Sequence, residues 1–186
     1  AKPTSSPIDS CGDGVCQMHE TSTVCSGDCG DLALATNDIK DRGAQGTMFD
    51  VVALRDVSIT SFDLYCNRAV TEQLQIYTRQ GSYKGHELSQ DGWTLVYDKM
   101  VSLGGRDNLV ELDALDSVVE IAEGTRQAFY IFTNGVVLYT GGTREGNLYA
   151  ADDALGFYEG VGIDAGTFSG NTGNLWAPRV FSGNIR

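Results

Sequence analysis

Apolar residues in this chain recur at every second position within short runs, and Gly, Asn or Asp closes most of the runs. That period is the mark of strands with one face buried. It predicts strands over 47–54, 57–65, 72–79, 93–98, 108–112, 117–122, 127–133, 136–140, 155–160 and 177–185. Leu74, Ile76 and Thr78 fall on one face of their run, and Ile59, Phe62 and Leu64 are expected to point inward. Asn134-Gly135 between two apolar runs predicts a two-residue type I′ hairpin. No segment carries the pattern of a long amphipathic helix, and no internal repeat is visible. About ten short strands at a spacing of roughly ten residues predict an all-β fold, an antiparallel β-sandwich or jelly roll.

Ahead of the strands the texture differs. Residues 1–10 read as a polar tether with two prolines. Residues 11–30, CGDGVCQMHETSTVCSGDCG, hold almost no large apolar side chains, so burial alone cannot fold them. Residues 31–46 read as a connector ending in the turn-prone RGAQG, and the β-sandwich domain is expected over 47–186.

Charge narrows the function. Twenty-five acids against 13 bases give 186 residues a net charge of −12. Such a balance offers no basic footprint for nucleic acid and no attraction to an anionic membrane surface. No apolar run reaches the roughly 18 residues that a membrane-spanning helix needs. The start at Ala1 reads as that of a processed chain.

Four of the 5 cysteines, Cys11, Cys16, Cys25 and Cys29, are spaced C-x4-C-x8-C-x3-C, and the fifth, Cys66, stands alone. A tight even cluster fits a disulfide staple and an oxidising compartment, secreted or within an organelle lumen. Three pairings are open; the interleaved one, Cys11–Cys25 with Cys16–Cys29, ties the whole loop together. Asp13, Glu20 and Asp28 lie between or beside these cysteines, and hard oxygen ligands on a looped backbone suit Ca²⁺. A bare staple with solvated acids is the simpler alternative. Zinc fits less well, because paired C-x2-C knuckles are missing. Cys66, near Leu64 and Ile59, is expected to be buried.

The segment CGDGVC, then Glu20-Thr21, then C-x-x-D-C-G resembles the calcium-binding Lin-12/Notch repeat, with two disulfides in place of three. That resemblance covers about 20 residues and implies Ca²⁺ ligation by Asp13, Glu20 and Asp28. Gly46 to Ile185 resembles a β-sandwich module of secreted and organelle-targeted proteins from diatoms and marine bacteria. The residues that carry it are GTMFDVVALRDVSITSFDLY, QIYTRQGSYKGHE, WTLVYD and WAPRVFSGNI. It implies fold and compartment, a plastid among the possibilities, but no activity.

No catalytic constellation is evident. The 2 histidines, His19 and His86, lie near no nucleophile motif, and GSYKG at 81–85 lacks the strand–turn–helix context of a nucleophile elbow. Asp152-Asp153 is one acid pair among many. The sequence therefore predicts a non-catalytic binding or scaffold protein whose partner is a protein complex or a polysaccharide. Two alternatives accompany that reading. One is an accessory subunit of a large protein complex, plastid photosynthetic complexes included; the other is a calcium-assisted carbohydrate-binding module. For the last, Tyr83 and Trp176 are the candidate ligand-stacking aromatics, with Tyr149 and Trp93 as further candidates. The Asp-, Asn- and Gly-rich stretches 141–153 and 160–175 are the candidate binding loops.

Overall fold

The computed structural model describes residues 33–168 and 174–186. The tether and the cysteine-rich segment, with Cys11, Cys16, Cys25, Cys29, Asp13, Glu20 and Asp28, lie outside the described residues. Leu34–Arg186 forms one unit, an all-β sandwich with antiparallel sheets.

Among the described residues, thirteen strands follow in order. They are β1 (Leu34–Asn37), β2 (Arg42–Ala53), β3 (Val57–Ile59), β4 (Phe62–Leu64), β5 (Thr71–Gln80), β6 (Thr94–Ser102) and β7 (Val110–Glu111). After them come β8 (Val119–Ile121), β9 (Arg126–Gly141), β10 (Leu148–Ala151), β11 (Leu155–Ile163), β12 (Leu175–Phe181) and β13 (Gly183–Ile185). One sheet has the order β1-β13-β4-β7. A larger one runs β10-β11-β12-β9-β5-β6 with β2 between β11 and β9, and β3 pairs β8.

Between the sheets lies the main core. Phe62, Leu64 and Ile185 meet Phe49, Val51, Leu74, Ile76, Phe129, Ile131 and Phe157, all essentially inaccessible to water. The predicted inward residues Ile59, Phe62, Leu64, Leu74 and Ile76 are all among the core residues. The outer face of the large sheet is not open to solvent throughout. Met48, Tyr77, Tyr83, Trp93, Tyr130, Val161 and Ile163 build a second apolar cluster there. The segment between β5 and β6 covers it, held by the buried Asp50. That carboxylate accepts hydrogen bonds from Ser82 Oγ (2.7 Å) and Tyr83 N (3.1 Å) and pairs with Arg126 (3.1 Å).

Four expectations are corrected. The connector read over 31–46 instead supplies β1 and the first half of β2; its Leu34 and Ala44 are buried. The run 57–65 breaks at Thr60-Ser61, whose amides both donate to the Arg186 carbonyl. The break lets β3 pair β8 while β4 pairs β13. The run 177–185 breaks at Ser182, where the chain passes from the large sheet to the smaller one. Such sheet-switching corners are how sandwich edges join. Finally, Asn134-Gly135 makes no hairpin. Both halves of β9 pair the same strand, Phe132 opposite Gly46 and Val137 opposite Ala44, so the intervening residues form a bulge facing Gln45. Gly135 is used for close approach, because a Cβ there would sit 2.1 Å from Leu103 Cδ1. The positive φ falls instead on Val136, at 67°, a costly conformation for a β-branched residue.

Cys66 is buried, as expected, and burial pushes its thiol up to about 12. The unfolded thiol ionises near the ordinary value of 9.0. Its contribution to stability is therefore full below pH 9 and lost as pH rises from 9 to 12, at about 1.4 kcal/mol per unit. Denaturant titrations between pH 8 and 10.5 should show a steeper alkaline loss for the parent than for Cys66→Ala. Parallel curves would contradict this account of the thiol.

Candidate functional site

β2, β11, β12 and β9 pair with one another in a closed circuit. β12 closes it, leaving β11 near Trp176 and reaching β9 by Arg179. Between these two residues β12 carries one residue more than β11, with Gly160 opposite Arg179 and Gly162 opposite Trp176. In a regular strand, residues three apart face opposite ways; the bulge lets both line one cleft.

That cleft, about 310 Å³, is walled by Arg42, Gly43, Tyr139, Asp164, Trp176 and Arg179. Its size falls at the lower end for small-ligand sites. Tyr139 is buried, with its hydroxyl against the backbone of β11. A Cβ at position 162 would lie 2.5 Å from that hydroxyl, so only glycine leaves room for the phenol. Burial raises the Tyr139 pKa, opposed in part by the hydrogen bond and charge of Arg179, so the phenol stays neutral at physiological pH. The Arg179 guanidinium lies 5.6 Å from the Tyr139 ring centroid, and its Nη1 donates to the Pro178 carbonyl at 2.7 Å. Its Nε–H is buried and has no hydrogen-bond partner. Arg42 is half-exposed, and Asp41 at 3.9 Å is a loose, solvated partner. Trp176 remains 48% exposed, although large aromatics usually find cover. Among the described residues, the site therefore offers a half-exposed indole, two guanidinium groups and one carboxylate.

Of the aromatics chosen from sequence, the structure brings only Trp176 to this cleft. Tyr83 is corrected: it is 1% exposed and its hydroxyl donates to Glu145 at 2.8 Å. The hydrogen bonds that Ser82 Oγ and Tyr83 N donate to Asp50 draw it into the outer-face cluster, where no ligand ring can stack on it. Trp93 is likewise buried and donates to the His86 carbonyl at 3.1 Å. Tyr149 is partly exposed on β10, edge-on to Phe157. The stretch 141–153 is not all loop, since β10 occupies part of it, and β11 extends to Ile163. The pair Asp152-Asp153 shapes a turn: Asp152 Oδ1 accepts from Ala154 N and Leu155 N, and Asp153 meets Arg55 at 3.5 Å.

The other buried acids are held by fixed partners. Glu159 accepts from Thr143 N, Thr143 Oγ1 and Arg144 N at 2.6–2.8 Å, pinning the turn after β9. Asp63 is bound by Asn184 and Arg186. No group of three or more His, Cys, Asp or Glu among the described residues is placed to hold a metal ion. Among the same residues, no helix is long and apolar enough to cross a membrane.

Arg42, Tyr139, Asp164 and Arg179 had no distinguishing local signal in the sequence. Their meeting depends on the closed circuit of strands, in which residues from β2, β9 and β12 converge. No protein-family model matches the chain, and no curated protein matches it.

Proposed function

We propose that this protein is a non-catalytic, extracytoplasmic binding module that holds a polysaccharide at the Trp176 cleft. The exposed indole at the wall of a polar cleft carries the reading. The C–H face of a pyranose is apolar and packs on an aromatic plane, while its equatorial hydroxyls reach donors and acceptors beside that plane. Arg42 and Arg179 supply donors, and Asp164 supplies an acceptor. Among the described residues, Asp164 is also the single carboxylate lining the cleft. Ordinary glycosidases need two opposed carboxylates, so the geometry favours holding a glycan over cleaving it.

Immobilised polysaccharides should retain the parent protein at least tenfold better than Trp176→Ala, a difference of about 1.4 kcal/mol. Because Trp176 is exposed, its loss should change unfolding free energy by no more than about 0.5 kcal/mol. Equal retention of the two proteins would overturn the reading.

A further inference from the structure

We propose that the sugar taken by this cleft is acidic, with its carboxylate or sulfate group held between Arg42 and Arg179 while its ring lies on Trp176. The inference deepens the polysaccharide reading above and rests on it. Among the described residues, two guanidinium groups and one carboxylate line the cleft, although acids outnumber bases 25 to 13 in the chain. Guanidinium forks match the geometry of carboxylate and sulfate oxygens and bind them by charge-assisted hydrogen bonds. A neutral hydroxyl can accept from either guanidinium, but an oxyanion accepts more strongly and compensates both charges. Asp164 is left to accept from a ring hydroxyl.

The chain's net charge of −12 does not override this. At physiological salt the screening length is about 8 Å, so distant carboxylates weigh little against contacts inside the cleft. The same net charge suppresses indiscriminate adsorption of polyanions, so retention of one reports a local site.

The test is calorimetric titration of the full chain with three oligosaccharides: a polygalacturonate fragment, a sulfated galactan fragment and an uncharged galactan fragment. At least one acidic oligomer should bind at least tenfold more tightly than the uncharged one. The uronate and sulfate arms tell which oxyanion is preferred. Arg42→Gln, at a half-exposed position, should weaken the acidic oligomer at least tenfold and the uncharged one, which loses only a hydrogen bond to a neutral hydroxyl, by a distinctly smaller factor. Arg42→Lys should recover only part of the loss, since it restores charge without the fork. Equal binding of charged and uncharged oligomers, weakened to the same degree by Arg42→Gln and lost in Trp176→Ala, would overturn the acidic sugar and leave the polysaccharide reading standing. No binding of any oligomer would overturn both.

Discussion

Phe49→Ala should lower the unfolding free energy by roughly 3–5 kcal/mol and the melting temperature by about 10 °C. Phe49 is fully buried, and four other phenyl rings surround it. Phe157 and Phe181 lie 5.0 and 5.2 Å away between centroids, Phe129 and Phe62 at 6.1 and 6.4 Å. These rings come from β4, β9, β11 and the end of β12, so truncation opens a void where both sheets meet. Rings held from several strands cannot all collapse into it, and the cavity cost adds to the lost transfer energy. Phe49→Leu, which keeps most of the volume, should cost markedly less. Urea titration of both variants checks this. A loss below about 1 kcal/mol for Phe49→Ala would mean that the ring is not at the junction of the sheets.

Arg186→Ala should be nearly as damaging, for an electrostatic reason. Asp63 is fully buried on β4, and Arg186 meets its carboxylate through Nη2 at 2.8 Å and Nε at 2.9 and 3.0 Å. With the guanidinium gone, Asn184 Nδ2 at 2.7 Å still donates, but among the described residues no other ion pair compensates the carboxylate. Stranding one partner of a buried ion pair costs on the order of 3–5 kcal/mol, whereas replacing both with apolar residues of similar volume costs far less. Asp63→Leu combined with Arg186→Met should therefore be more stable than Arg186→Ala alone. The opposite order in chemical denaturation would show that the pair stabilises the fold rather than merely offsetting its own desolvation.

Strand positions were legible because alternation reports burial directly. The run at 72–79 becomes β5, and its Leu74 and Ile76 enter the main core. Illegible were the points where a run changes partners. Nothing in VSITSFDLY or APRVFSGNI announces a break, because Thr60, Ser61 and Ser182 are compatible with a strand and only the distant Arg186 and Leu138 carbonyls mark the corners. Asn134-Gly135 misled for a related reason: glycine serves positive φ and close approach alike, and Leu103 decides which applies. Tyr83 misled because a loop position usually means exposure, whereas here Asp50 pulls the loop onto the outer face of the sheet. Trp176 was legible as a residue, and its surroundings were not, since Arg42 and Tyr139 reach it through strand pairing across the chain.

The central claim is that a glycan lies on the Trp176 ring, and acrylamide quenching of tryptophan fluorescence reads that contact directly. The chain has 2 tryptophans, Trp93 8% and Trp176 48% exposed, so quenching in the free protein reports chiefly on Trp176. Saturation with an oligosaccharide that the protein retains should reduce the quenching constant of the parent by at least half, and leave that of Trp176→Phe, which reports on Trp93 alone, unchanged. Quenching of the parent that stays the same with the oligosaccharide bound would place the ligand elsewhere and contradict the account.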